Sequence, residues 1–376
     1  MNKRIDLNAN YNMLNTKEEI ECWGIIDKQE VYLYHLHNVN NVKVSITNFG
    51  ATITAINVPD KNGDMADVAL GYDDLQGYIN DPYYMGAIVG RYANRIAGGL
   101  VEIDGQQYQL TVKPGGFHHH GGAVGFNKKV WRSSAILNNG FPAIKLEYLS
   151  PDGEEGFPGN LAVTVIYTLN DQNQLMVDFS ATTDKTTILN LTQHAYFNLA
   201  GHTSGGIADH QLMMPLSNYL PVNQMQVPNG EIADVKGTPF DFTAPKKIGQ
   251  RINADNEQLA LSAGYDHTWV IKQKDSAELK VAARVLDSNS GRVLTVYTTE
   301  PSVHLYTGNF LDGSVTGKAG FAYPRRGGFC LETQHYPDSP NNPAFPGTVL
   351  QKGSTFKSKT IFEFNVSNQS ELVYEK

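Results

Sequence analysis

Apolar and polar residues alternate with a period of two in segment after segment between residues 42 and 366. Val42, Val44 and Ile46 are separated by Lys43 and Ser45. Ile144, Leu146 and Tyr148 repeat the pattern, as do Leu161, Val163, Val165 and Tyr167. Asn170 to Asn173 then read as a turn, after which Leu175, Val177 and Phe179 return. Leu279, Val281, Ala283 and Val285, then Leu294 and Val296, and finally Phe362, Phe364 and Val366 continue the series. Successive side chains of a strand point to opposite faces, so this period predicts strands with one buried face. The turn-like Asp60-Lys61-Asn62-Gly63 precedes Ala66, Val68 and Leu70, and Asp104-Gly105 sits between Val101-Glu102-Ile103 and Tyr108, Leu110 and Val112. Asp-Gly supplies the positive φ of a tight turn and predicts a hairpin there. So many consecutive strands predict an all-β fold, with large antiparallel sheets packed as a β-sandwich.

Helical periodicity is weak, and short helices are expected only near residues 16–22 and 257–263. No Pro-, Gly- or Ser-rich linker and no repeat of 20 to 50 residues divides the chain. Residues 1–376 therefore read as a single domain, with 1–40 an N-terminal segment to which no role is assigned. Residues 72–85 and 311–328 read as long loops, the kind that carry function on a rigid sheet.

Charge and cysteine usage narrow the function classes. The formal net charge is −8 and no basic stripe is present, which argues against a nucleic-acid partner. Charged residues make up 18%, below the usual quarter or so of a globular chain, and 41% are hydrophobic, so the chain reads as folded. Cys22 and Cys330 form neither a disulfide framework nor a CxxC zinc pair. No signal peptide and no apolar run of roughly 18 residues is found, so the expectation is a cytoplasmic protein without a membrane partner. No Gly-rich phosphate loop, GxSxG or HExxH motif occurs, and neither cofactor nor metal is expected.

Five polar, aromatic-rich segments could carry chemistry. In Gly90-Arg91-Tyr92-Ala93-Asn94-Arg95-Ile96, guanidinium and amide groups offer multi-point donors to hydroxyl oxygens; the alternative is a surface arginine pair. In Phe117-His118-His119-His120-Gly121-Gly122, an extended backbone would put His118 and His120 on one face, as a metal site or as an exposed cluster. His194, in Asn190-Leu191-Thr192-Gln193-His194-Ala195-Tyr196-Phe197-Asn198, is either an acid or base near neutrality or a structural histidine. Asp266, in Gly264-Tyr265-Asp266-His267-Thr268-Trp269, is either a hydroxyl acceptor beside sugar-stacking aromatics or a turn residue. Glu332 follows the apolar Phe329-Cys330-Leu331, and Cys330 and Glu332 share a face if the run is a strand. A carboxylate leaving a buried strand is a candidate general base; a solvated strand end is the alternative.

Taken together these segments resemble the aldose 1-epimerase (galactose mutarotase) family. The likeness also includes Asn48-Phe49-Gly50-Ala51, Ser150-Pro151-Asp152-Gly153-Glu154-Glu155-Gly156-Phe157-Pro158-Gly159 and Tyr306-Thr307-Gly308-Asn309-Phe310. It runs in one order from about residue 48 to near the C-terminus. The resemblance implies a cofactor-independent isomerase with an open sugar cleft on a β-sandwich, acting as a monomer or homodimer on a monosaccharide. It implies Glu332 as general base, His194 as general acid and His120 as a further active-site histidine. It also implies Asn94, Arg95, Asp266 and His304 as substrate-binding residues. Two departures stand out: His304 occupies a position where many members carry Gln, and His119 one where an apolar residue is usual. Three rival readings remain at this stage: an epimerase of a phosphorylated hexose using Arg325-Arg326, a non-catalytic sugar binder, and a metal protein using His118 and His120.

Overall fold

The computed structural model describes residues 19–272 and 277–372. The largest sheet has nine strands, all antiparallel to their neighbours. Its spatial order is Arg132–Asn138, Phe141–Ser150, Leu161–Leu169, Gln174–Thr183, Thr355–Val366, Arg292–Thr298, Lys280–Leu286, Gln211–Met213 and Lys246–Lys247. Val165 pairs with Phe179 and Tyr167 with Val177, so the apolar faces read from the sequence lie side by side. Asp104 and Gly105 both have positive φ and close the hairpin between Leu100–Ile103 and Gln106–Gln109 as expected.

Two alternating runs depart from expectation. In Lys280–Leu286 the register slips between Val281 and Ala283, which turns both Ala282 and Ala283 inward and leaves Leu279 exposed. A bulge of this kind reverses the phase of the side chains beyond it. Val366 ends the long strand Thr355–Val366 and is exposed because the sheet stops there.

A five-stranded sheet comes from Glu19–Ile26, Gln29–His37, Lys43–Thr47, Thr52–Pro59 and Met65–Asp67. The helix expected near residues 16–22 is absent where it can be seen, because residues 19–22 belong to a strand; residues 16–18 lie outside the described residues. Asp27 and Lys28, both at positive φ, fold this strand back onto Gln29–His37, and the pairing overrides a weak local helical signal. The second expected helix is present as Glu257–Ser262, capped by Asn256. The segment 72–85 is not all loop: Leu75–Asn80 form a short helix capped by Asp74.

A six-stranded sheet has the order Tyr196–Phe197, Phe329–Gln334, Ser302–Tyr306, Asp266–Val270, Asn218–Leu220 and Ala233–Asp234. Its strands divide their residues by face. Trp269, Val303, Leu305, Phe329 and Leu331 enter a core shared with Leu36, Val44 and Ile46 of the five-stranded sheet and Val165, Val177, Leu294 and Phe362 of the nine-stranded one. Each such side chain contributes about 1.5–3 kcal/mol by burial, which offsets the cost of the polar opposite face. Asp266, Thr268, His304, Glu332 and Cys330 occupy that face by the period of two. No helix among the described residues is long and apolar enough to cross a membrane.

Arg91 ties the loop segments to this frame and is only 2% exposed. Its Nε donates to Ser150 Oγ at 2.6 Å, its NH2 to the carbonyls of Ser150 and Pro151 at 2.9 and 2.8 Å, and its NH1 to Pro158 O at 3.1 Å. It therefore faces away from any ligand, which removes one of the two arginines that the sequence offers as hydroxyl donors. Arg91→Met would keep much of the volume but strand the two buried carbonyls of Ser150 and Pro158, at about 1–3 kcal/mol for each group left unsatisfied. Urea unfolding should show a loss of about 2 kcal/mol or more; a loss below 1 kcal/mol or so would contradict this anchoring role.

Candidate active site

The polar face of the six-stranded sheet forms the floor of a cleft of about 250 Å³. Register fixes which side chains meet there. Thr268, His304 and Glu332 lie in one cross-strand row. Asp266, Tyr306, Cys330 and Tyr196 form the next. Directly opposed residues share a face, so the two rows make a continuous platform. His194 lies two residues before Tyr196 and reaches the same cleft.

One wall comes from a two-stranded unit in which Arg95–Ala97 pairs with Phe117–His119. Asn94 and His120, at the ends of these strands, both adopt positive φ and bond each other reciprocally. His120 N donates to Asn94 O at 3.1 Å, and Asn94 N donates to His120 Nδ1 at 3.1 Å. The turn beyond His120 needs glycine: a Cβ on Gly121 would sit 1.8 Å from Gly90 O. The rim also carries Pro82, Tyr83 and Tyr84 from the segment after the short helix, with the Tyr84 ring 4.8 Å from that of His120, and Phe310 just before the second long loop.

Six sequence-derived residues, Asn94, Arg95, His120, His194, Asp266 and Glu332, line this cleft together with the seventh, His304. The expectation that His118 and His120 share a face is not met. The backbone leaves the extended conformation at His120, so His120 turns into the cleft while His118 packs against Phe157 and contacts Thr111 O through Nδ1 at 2.9 Å. Arg325 and Arg326 are held at the carbonyl of Ala263 and do not line the cleft.

Glu332 is 2% exposed, and its Oε1 lies 3.5 Å from His194 Nε2. Its Oε2 is buried without a hydrogen-bond partner among the described residues. An unsatisfied buried carboxylate oxygen is costly and is a mark of a working site. On the other side of His194, Nδ1 lies 3.6 Å from Cys330 Sγ. Burial, with Glu332 and Asp266 nearby, holds the Cys330 thiol well above its ordinary pKa, so the contact adds no charge.

His120 is a different kind of histidine. Burial first, then His119, His194 and Arg95, hold its pKa well below the ordinary value, so the ring is neutral. Its Nδ1 accepts from Asn94 N, which puts the single ring proton on Nε2. His120 is therefore a neutral donor. The ligand atoms of His120, His194 and Glu332 lie within 4.8 Å of one another, a spacing that could hold a cation. A metal on Nε2 of His120 would drive the proton onto Nδ1, against the Asn94 N–H, so the residues do not fit that use.

Asp266 is held from both carboxylate oxygens. Its Oδ2 accepts from Arg95 NH2 at 3.2 Å and its Oδ1 lies 2.6 Å from His304 Nε2. Burial raises its pKa, but Arg95, His304 and His267 outweigh this and hold the carboxyl well below the usual range. Arg95 is itself oriented by Gln226, whose Oε1 accepts from NH2 at 2.7 Å. Gln226, Tyr83 and Tyr84 were not singled out in the sequence, His119 stood out only as a departure from the family pattern, and Tyr306 and Phe310 only as part of the likeness.

The residue range 32–363 matches the model of the aldose 1-epimerase family. Galactose mutarotase of Bos taurus is 45% identical over 328 residues, covering 87% of this chain and 92% of that protein. Aldose 1-epimerase of Escherichia coli is 36% identical over 340 residues, covering 90% and 96%. Among solved structures, the GalM/aldose epimerase homologue of C. elegans aligns with a TM-score of 0.81 at 31% identity, covering 89% of this chain and 99% of that one. Galactose 1-epimerase of Lactobacillus acidophilus aligns at 0.83 with 27% identity, covering 93% and 99%. A β-rich cleft with an imidazole beside a buried carboxylate and relatives of this similarity lead to one conclusion: the chain belongs to the aldose 1-epimerase family.

Proposed function

We propose that this protein interconverts the α and β anomers of free hexoses such as galactose and glucose by general acid–base catalysis. The observation that carries this reading is the pair of His194 and Glu332, with Nε2 and Oε1 3.5 Å apart in a buried, polar cleft. Anomer exchange breaks and remakes one C–O bond with no net oxidation, so one acid and one base are sufficient. In the forward direction Glu332 takes the proton of the C1 hydroxyl while His194 protonates the ring oxygen, and the ring opens to the aldehyde. Rotation about C1–C2 presents the other carbonyl face. Reversal of both proton transfers closes the ring to the other anomer. Each positioned group contributes about 10²–10⁴-fold.

The remaining residues bind and orient. Asp266 accepts sugar hydroxyl protons, with Arg95 and Asn94 fixing its side of the cleft. His120, neutral and donating from Nε2, stabilises negative charge that develops on a sugar oxygen. The aromatic rim of Tyr83, Tyr306 and Phe310 offers ring faces to the apolar C–H surface of a pyranose. A phosphorylated hexose is disfavoured because Arg95, the cleft's guanidinium, is already paired with Asp266, and Arg325 and Arg326 are occupied elsewhere. A purely binding role would not call for the acid–base pair.

Proton NMR of an equilibrated hexose solution tests the proposal. Magnetisation transfer between the two anomeric protons should become measurable for galactose or glucose on adding the protein, and stay at its spontaneous rate with the corresponding hexose 6-phosphate. Exchange unchanged by the protein for either free sugar would overturn the reading.

A further inference from the structure

The two-stranded wall of the cleft sorts its side chains by register. Phe117, His118 and His119 stand opposite Ala97, Ile96 and Arg95 in turn. His118 and Ile96 are buried; Ile96 belongs to an apolar cluster with Phe157, the ring on which His118 packs. The period of two then sends Phe117, His119 and Arg95 to the other face, and both His119 and Arg95 line the cleft. The Arg95 guanidinium lies 5.7 Å from the centre of the Phe117 ring, as a shared face requires. Outward from the acid–base pair the rings run His194, His120, His119 and Phe117, with centroids 5.3, 3.9 and 5.9 Å apart in succession. His119 therefore lies one ring beyond His120 from the reacting end.

The four histidines that line the cleft differ in how their nitrogens are used. His304 spends both inside the protein, on Asp266 and Thr268. His194 lies between Glu332 and Cys330, and His120 accepts from Asn94 N through Nδ1. His119 alone has no hydrogen-bond partner on either ring nitrogen among the described residues, and unlike Nε2 of His118 and of His267 neither nitrogen is walled off by protein. Burial first, then Arg95 and Lys113, hold its pKa well below the ordinary value, so the ring is neutral, with one nitrogen to donate and one to accept. An apolar side chain could pack against His120 without leaving two polar atoms unpaired. The wall instead offers a free donor and a free acceptor to whatever fills the cleft.

We propose that His119 is a specificity-determining residue that hydrogen-bonds directly to a sugar hydroxyl other than the one on C1. This inference rests on the mutarotase reading, in which Glu332 and His194 engage the C1 hydroxyl and the ring oxygen and leave the remaining hydroxyls to the walls. A hydroxyl both donates and accepts, so it matches either nitrogen of a neutral imidazole. The contact does not change as the ring opens and closes, so it acts on KM rather than on kcat. A pyranose that lacks this hydroxyl leaves a ring nitrogen unpaired and is bound less well. Because His119 is partly exposed, water softens that penalty and keeps the discrimination modest.

The test compares mutarotation by the wild type, His119→Leu and His119→Gln, with galactose and with its monodeoxy derivatives at C2, C3, C4 and C6. With galactose, kcat/KM of His119→Leu should fall by about tenfold, carried by KM, with kcat within about threefold of the wild type. His119→Gln restores a donor and an acceptor and should recover to within about threefold. For the derivative that lacks the contacted hydroxyl, wild type and His119→Leu should agree within about twofold, while the gap of about tenfold persists for the others. An equal gap for every derivative, or a His119→Leu within about twofold of the wild type on galactose, overturns the contact. If His119→Leu does not fold, His119→Phe makes the same comparison with a planar ring in place. A wild type that accelerates none of these sugars overturns the mutarotase reading itself. Dissociation constants from titration calorimetry, compared across the same variants and derivatives, then still decide the contact at His119.

Discussion

Replacing Glu332 by Gln should lower kcat for anomer exchange by about 10²–10⁴-fold while the protein still binds galactose. The amide fills the same space in the row with His304 and Thr268, so the platform is preserved. What disappears is the only feature of the side chain that the chemistry uses, its ability to take a proton. In the proposed reading, binding rests on Asp266, Arg95 and the aromatic rim of the cleft, which the substitution leaves in place. Titration calorimetry with galactose should return a dissociation constant close to that of the wild type, and polarimetry should show the collapse of turnover. A variant within tenfold or so of wild-type kcat would remove Glu332 from the role of base.

His194→Gln should fall as far, by about 10²–10⁴-fold, for the complementary reason. Gln can still donate a hydrogen bond to the ring oxygen but cannot deliver a proton, so the leaving ring oxygen would depart as an alkoxide. A His194→Gln variant that keeps kcat within about tenfold of the wild type would assign the acid to another group. His120 is the nearest alternative, but its ring is neutral with Nδ1 already accepting from Asn94 N, which suits it to hydrogen bonding rather than to proton delivery.

The fold was legible in the sequence wherever burial alone decides the pattern. Leu161 to Tyr167 and Leu175 to Phe179 alternate because a strand buried on one face must, and their pairing in the nine-stranded sheet follows the turn at Asn170 to Asn173. The same rule carried Glu332 and Cys330 to a common face. Legibility ended where a partner far away in the chain, or a special backbone conformation, decides. Residues 19–26 become a strand only because Gln29–His37 offers an edge. The slip at Val281 to Ala283 has no local signature. His120 leaves the plane of its neighbours because its φ is positive, so alternation wrongly grouped it with His118. Arg91 and Arg95 look equivalent in sequence, yet one is committed to the carbonyls of Ser150, Pro151 and Pro158 and the other to Asp266. The site residues could be collected from the sequence, but their roles in it came from the resemblance, since each motif alone was compatible with a structural purpose.

The bonding of His304 shows why a residue at a cleft is not necessarily a ligand contact. The sequence grouped it with the substrate-binding residues. Its two ring nitrogens are instead spent on Asp266 and Thr268, so any influence on sugar recognition passes through the carboxylate it holds. Arg95 acts on the same carboxylate from the other oxygen, which leaves Asp266 ionised and fixed on both sides.

The central claim is that the cleft accelerates anomer exchange, and polarimetry on freshly dissolved α-D-galactose measures it directly. The account predicts a faster approach to the same final rotation in proportion to protein concentration, above the spontaneous rate. An approach at the spontaneous rate, with folded protein and with glucose tested alongside galactose, would contradict it.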